Sequence, residues 1–353
     1  MICIILGTRP EIIKMAPVVR ECQRLELEFM ILHTGQHYSY NMDRVFFEQL
    51  RLPGAKYNLE TGSGSHGGQT GRMLAGIERI LLAEKPDAVL VQGDTNTVLA
   101  GSLAAAKLGI AVGHVEAGLR SYDRRMPEEI NRVVSDHVSD HLFAPTEKSR
   151  GILLGEGIPD GKILVTGNTI VDAVQQNLRL AEDNDALAAH GLVGKGFLRK
   201  TAHRQENVDD PSRFRGLLDG ILQLSRETGL PAVYPIHPRS RKRIEEFGLD
   251  AGDIKLIEPL DYFEFLQLES SARLVLTDSG GVQEEACITG VPCVTLRDNT
   301  ERPETLDAGS NMLAGTDPGK IVECARLMLS RKGKWSNPFG DGKAAERIAG
   351  IYT

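Results

Sequence analysis

Three acidic residues stand where a short apolar run gives way to a polar loop. They are Asp94 in Gly93-Asp94-Thr95-Asn96-Thr97, Glu116 in Glu116-Ala117-Gly118-Leu119-Arg120-Ser121, and Glu128 in Met126-Pro127-Glu128-Glu129-Ile130-Asn131-Arg132. Carboxylates at the ends of neighbouring strands are candidates for proton transfer, with pKa values set by their burial. Two of the three have a plainer duty open to them. Asp94 or Thr95 suits a helix N-cap, and Glu128 with Glu129 suits the positive end of a helix begun by Pro127. Glu116 has no evident structural duty. Three such acids in one half of the chain favour the catalytic reading.

Cations and glycines gather at similar places. Gly7-Thr8-Arg9-Pro10-Glu11 follows the first apolar run, and Lys14 comes one helical turn later. Arg9 and Lys14 could both reach an anion at a helix start, although an ordinary solvated loop is an equal alternative. In the second half, Thr201-Ala202-His203-Arg204 offers His203 to an anionic ligand; a lone histidine is more often structural. The sharpest local pattern is Thr277-Asp278-Ser279-Gly280-Gly281 running into Val282-Gln283-Glu284-Glu285. A strand ends, two glycines permit close backbone approach, and a helix begins whose N–H groups can hold a phosphate. Glu285, about one turn inside, could take sugar hydroxyls. Arg302, within Asp298-Asn299-Thr300-Glu301-Arg302-Pro303-Glu304, is a further cation or part of a polar surface loop.

The elements that must position these residues alternate. Strands are expected at 2–6, 29–34, 88–92, 111–115, 141–144 and 163–165, with helices at 12–25, 41–50, 71–84, 98–107, 128–139 and 148–155 between them. After a polar helical stretch to about 190 the pattern restarts. Strands follow at 197–201, 233–236, 254–257, 274–277 and 293–296, with helices at 211–228, 239–247, 262–270, 282–289 and 320–329. Such alternation makes β-α-β units and parallel sheets. The expected fold is α/β, two doubly wound Rossmann-like domains in tandem joined near 166–195 and facing a cleft. Ligands in such sheets bind beyond the carboxyl ends of the strands.

Composition narrows the function. At 353 residues the chain is long enough for two cores, and 41% hydrophobic with 25% charged residues is ordinary for a globular protein. A net charge of −7 argues against nucleic acid as the main partner. The apolar runs fall far short of the ~20 residues that cross a bilayer. The opening run at 2–6 meets Arg9 and Glu11 at once and reads as a strand, so a soluble intracellular protein is expected. Cys3, Cys22, Cys287, Cys293 and Cys324 are scattered without C-x-x-C spacing. They imply neither zinc nor disulfides, only reduced core residues.

As a set, these segments resemble the non-hydrolysing UDP-N-acetylglucosamine 2-epimerases. The match runs in family order through GTRPEIIK (7–14), TGQH (34–37), GDTNT (93–97), HVEAGLRS (114–121), MPEEINR (126–132), TGNT (166–169), AHRQEN (202–207), TDSGGVQEE (277–285) and TERPE (300–304). The resemblance implies a glycosyltransferase-B type fold. Residues 1–168 with a returning C-terminal helix at 343–353 would carry the carboxylates, and 169–342 would bind UDP. It also implies a cytoplasmic homodimer that makes UDP-N-acetylmannosamine for surface polysaccharide. Arg9, Ser279, Gly280 and Gly281 would hold the diphosphate, with His203 and Arg302 alongside. Glu285 would hold the ribose, and Phe265 with the backbone at Leu260 the uracil. Lys14, Asp94, Glu116, Glu128 and Arg132 would surround the sugar. The implied chemistry is anti elimination of UDP to a 2-acetamidoglucal and its re-addition, with neither cofactor nor metal.

One segment departs from the family pattern. Many bacterial members have Gln-His-Arg after the second strand at an allosteric substrate site; here the chain reads Gln36-His37-Tyr38-Ser39-Tyr40-Asn41-Met42-Asp43. Alternatives to the main reading are an epimerase for UDP-2,3-diacetamido-2,3-dideoxy-glucuronate, a hydrolysing epimerase, a glycosyltransferase of the same fold, and a non-catalytic UDP-sugar sensor.

Overall fold

Short runs, most of them apolar, make the strands. In the first unit these are β1 (Ile2–Leu6), β2 (Phe29–His33), β3 (Tyr57–Asn58), β4 (Ala88–Gln92), β5 (Ala111–Val115), β6 (His141–Ala144) and β7 (Ile163–Val165). β1 and β4 are buried at all five positions, as parallel strands covered on both faces must be. They form one parallel sheet in the order β3-β2-β1-β4-β5-β6-β7. Its crossovers are α1 (Arg9–Arg24), α2 (Tyr40–Gln49), α3 (His66–Glu84), α4 (Asn96–Lys107), α5 (Pro127–Val138) and α6 (Glu147–Gly155), followed by α7 (Thr169–Leu180). This computed structural model describes residues 1–36, 40–182, 185–331 and 335–353, without the side chains of 40–43. Of the segment expected to depart from the family, His37, Tyr38 and Ser39 lie outside the described residues, as do the side chains of 40–43.

The second unit repeats the plan with β8 (Leu198–Thr201), β9 (Ala232–Pro235), β10 (Lys255–Ile257), β11 (Leu274–Thr277), β12 (Cys293–Thr295) and β13 (Asn311–Leu313), all parallel, in the order β10-β9-β8-β11-β12-β13. Its helices are α8 (Ala186–Ala189), α9 (Gln205–Val208), α10 (Pro211–Thr228), α11 (Pro238–Glu246), α12 (Tyr262–Ser271), α13 (Gly280–Ile288), α14 (Pro303–Asp307) and α15 (Pro318–Ser330). A last helix, α16 (Ala344–Ala349), belongs to the first unit. Both orders reverse direction beside the first strand, at β1/β4 and at β8/β11. These are the switch points where such folds bind ligands.

The units are Met1–Gln176 with Phe339–Thr353, and Asn177–Pro338. The division thus falls within α7, beyond the 168–169 read from the sequence. The first turns of α7 are tied to the returning segment: Asp172 accepts the N–H groups of Ala344 (3.3 Å) and Ala345 (3.0 Å), and Asn168 N–H donates to Phe339 O at 2.8 Å. The edge strands β3 and β13, and the one-turn helices α8, α9 and α14, were not expected. Each is too short to show a period. All five cysteines are buried and free.

Candidate active site

The loop after β1 is pressed against the start of α4. A Cβ on Gly7 would lie 2.1 Å from Thr97 Oγ1 and 2.3 Å from Thr34 Oγ1, so only glycine leaves room for these two threonine side chains. Thr8 caps α1, and Glu11 closes a capping box of the T-x-x-E kind. The Glu11 carboxylate accepts the N–H groups of Gly7 (2.6 Å) and Thr8 (2.8 Å) and the hydroxyl of Thr95 (2.5 Å). Burial pushes its pKa up to about 7 against those hydrogen bonds. Half-buried Arg9 lies 4.8 Å over the Phe46 ring.

Two of the three acids are ion-paired. Glu116 has a left-handed backbone (φ 72°) that turns the chain sharply after β5. Its Oε2 lies 2.6 Å from Lys14 Nζ and accepts from Gln92 Nε2 at 2.5 Å. Asp94 pairs with Arg132, whose other nitrogen donates to Glu129 at 2.9 Å. Glu129 in turn accepts the N–H groups of Ser121 and Tyr122, both at 2.9 Å, and holds the 121–122 loop. Adjacent acids on one helix therefore differ in role: Glu129 is structural and buried, while Glu128 is half-buried and open to a pocket. That polar pocket, of about 360 Å³, is lined by Asp94 and Glu128 with Gln36, His66, Gln69, Asn96 and Asn131 among others. Glu116 is not among its lining residues.

Behind the Glu116 loop lies a buried ionic chain. Asp136 contacts His114 (2.7 Å) and Arg120 (2.7 Å), and Arg120 reaches Glu156 at 2.6 Å. Burial opposes the charge on His114, but Asp136 outweighs it and holds the imidazole above its ordinary value. His114 also meets Gly93 O at 2.8 Å, fixing the residue before Asp94.

In the second unit a largely apolar slot of about 300 Å³ joins Thr201, Ala202, His203, Pro235, His237, Pro259, Leu260 and Phe265. The structure thus brings His203, Leu260 and Phe265 together on one slot. Phe265 is backed by Arg199, whose guanidinium carbon lies 3.6 Å from the ring centroid. Arg199 pairs with Glu269 at 3.0 Å, both fully buried. Buried Asp278 ties the two switch-point loops, accepting the N–H groups of His203 (3.0 Å) and Arg204 (2.9 Å). Burial holds the His203 imidazole below its ordinary value despite Asp278 at 3.3 Å.

Ser279 is the N-cap of α13, with Gly280 and Gly281 in its first turn. A Cβ on Gly281 would meet nothing within 4 Å, so this helix start is open; one on Gly280 would lie 4.0 Å from Arg302 Cγ. Arg302 therefore sits beside the helix start, where it pairs with Glu284 at 2.8 Å. Buried Glu285 accepts the Tyr262 hydroxyl at 3.2 Å. Among the described residues, no group of three His, Cys, Asp or Glu is placed to hold a metal ion, and no helix is long and apolar enough to cross a membrane.

Sequence reasoning singled out neither Glu11, Gln92, Asp278 nor Arg199 for these roles. The T-x-x-E spacing signals Glu11; the other three read as ordinary members of strands or loops.

This geometry meets a consistent set of relatives. The family model described as UDP-N-acetylglucosamine 2-epimerase matches residues 20–353. The chain belongs to the UDP-N-acetylglucosamine 2-epimerase family. It is an enzyme of that isomerase class. A UDP-N-acetylglucosamine 2-epimerase of Methanococcus maripaludis is 56% identical, over 99% of this chain and 97% of that relative. The crystal structure of Methanocaldococcus jannaschii UDP-GlcNAc 2-epimerase in complex with UDP-GlcNAc and UDP superposes with a TM-score of 0.88 at 55% identity, covering 99% of both chains. A Pseudomonas aeruginosa UDP-2,3-diacetamido-2,3-dideoxy-D-glucuronate 2-epimerase is 43% identical, over 98% of this chain and 97% of its own.

Proposed function

We propose that this protein interconverts UDP-N-acetylglucosamine and UDP-N-acetylmannosamine by anti elimination of UDP and its re-addition to a 2-acetamidoglucal. The observation that carries the reading is the pairing of Asp94 and Glu128 on one polar pocket of the first unit. Two carboxylates there can serve opposite faces of a sugar carbon. One takes the C2 proton as the C1–O bond to UDP breaks. UDP oxygen then re-forms the bond at C1 while an acid returns a proton to the other face of C2. Glu116 is the third acid of this set, held by Lys14. A positioned acid or base of this kind contributes ~10²–10⁴-fold in rate.

The second unit takes the nucleotide in this reading. The Leu260–Phe265 slot receives uracil and Glu285 the ribose. The open start of α13 receives the diphosphate, with Arg302 and His203 as further donors. N–H donors and cations there oppose the charge that grows on departing UDP. The cytoplasmic homodimer implied by the resemblance belongs to the same reading.

The 43% identical diacetamido-glucuronate relative supports a second substrate, with the same carboxylates acting on a sugar of different substituents. Incubating the protein with each UDP-sugar in deuterated water and following the products by NMR separates the readings. Deuterium at C2 of UDP-N-acetylmannosamine supports the proposal. Turnover of the diacetamido sugar alone supports the second reading, free N-acetylmannosamine reveals hydrolysis, and no turnover of either leaves a sensor.

A further inference from the structure

Glu11 does more than cap a helix. Its Oε2 takes two backbone N–H groups of the loop after β1, and its Oε1 takes the hydroxyl of Thr95, the N-cap of α4 in the loop after β4. β1 and β4 are neighbours in the sheet, so this single buried carboxylate spans the switch point of the first unit. One loop carries Arg9, and the other carries Asp94 immediately before Thr95. The contact is close on the remaining side as well, where Gly7 leaves no space for a Cβ against Thr97. A capping box needs only the N–H groups of its own helix. The bond to Thr95, 84 residues away in sequence, is surplus to that duty.

We propose that Glu11 is a positioning residue that sets the register between the Arg9 loop and the Asp94 loop, and through it the placement of Asp94 for proton transfer. The proposal rests on the assignment of Asp94 to the chemistry. Misplacement of a reacting group by about 1 Å can cost ~10²-fold in rate, so Glu11 acts on turnover more than on substrate affinity. Glutamine preserves the arrangement: its carbonyl accepts the two N–H groups and its amide reaches Thr95 Oγ1, which can accept.

The experiment compares Glu11→Ala and Glu11→Gln with wild type by steady-state kinetics and by amide hydrogen exchange. In Glu11→Ala, kcat falls ~10²-fold while KM for the UDP-sugar changes little. Exchange quickens at Thr97 and Leu99, whose N–H groups are held by the Gln36 side chain and the Thr95 carbonyl. Glu11→Gln recovers most of both. Normal kcat in Glu11→Ala with a lowered melting temperature reduces Glu11 to a helix cap and overturns the proposal. So does unchanged exchange at Thr97 and Leu99. Wild type without turnover would instead sink the assigned chemistry, and the exchange arm would still decide whether Glu11 links the loops.

Discussion

Lys14→Met isolates the electrostatics of the first unit. Lys14 and Glu116 side chains keep 12% and 5% of their exposure, and their charged atoms are 2.6 Å apart. Methionine fills much of the lysine stem volume but removes the charge, leaving the Glu116 carboxylate nearly dry with the Gln92 amide at 2.5 Å. Breaking a buried pair by removing one partner costs ~3–5 kcal/mol. Coulomb's law at an effective dielectric near 20 gives a comparable ~4 kcal/mol for charges about 4 Å apart. For a unit of this size, ~2–4 °C per kcal/mol turns that into a fall of ~6–20 °C in melting temperature. Glu116→Gln in the same background removes the stranded charge, and the double variant should regain most of the loss. Calorimetry on wild type, both single variants and the double variant closes the cycle. If the double variant loses the sum of the two single losses, the charges are not coupled and the pair does not hold Glu116 in place.

Asp94→Asn, Glu116→Gln and Glu128→Gln should each cut turnover by ~10²–10⁴-fold while UDP affinity, read by calorimetric titration, stays near wild type; any variant with normal turnover removes its residue from the catalytic set. Phe265→Ala should weaken UDP binding by the ~1–3 kcal/mol that aromatic stacking gives a base, about 5- to 150-fold in Kd, and an unchanged Kd would displace uracil from the slot. Stability should also depend on Glu11, whose pKa rises from 4.5 to about 7 through burial. Between those values the folded state holds the more protons, so its contribution is fully present below pH 4.5 and is lost as pH rises toward 7. The loss is about 3 kcal/mol by proton linkage. Urea unfolding from pH 4 to 8 should show that slope in wild type relative to Glu11→Gln, and parallel curves would refute it.

Much of this enzyme is legible along the chain because its signals are local. A doubly wound sheet needs continuous apolar runs separated by amphipathic ones, and strand β11 and helix α10 fall at the residues their patterns mark. Loops that follow strands in such sheets gather at the ligand-binding edge, so Asp94, Glu128 and His203 could be singled out before their neighbours were known, whereas Phe265, inside α12, entered only through the family resemblance. The marginal elements β3 and β13 were not legible, since two or three residues carry no period. Nor were the partners. Asp94 with Arg132, Lys14 with Glu116 across 102 residues, and Arg199 beneath Phe265 exist only because the chain folds back on itself. Glu128 and Glu129 are alike in sequence; only packing against the 121–122 loop makes one a buried strut and leaves the other facing a pocket. The same holds for protonation. His203 and Glu11 depart from their ordinary values because burial penalises charge, and burial is a property of the tertiary structure alone.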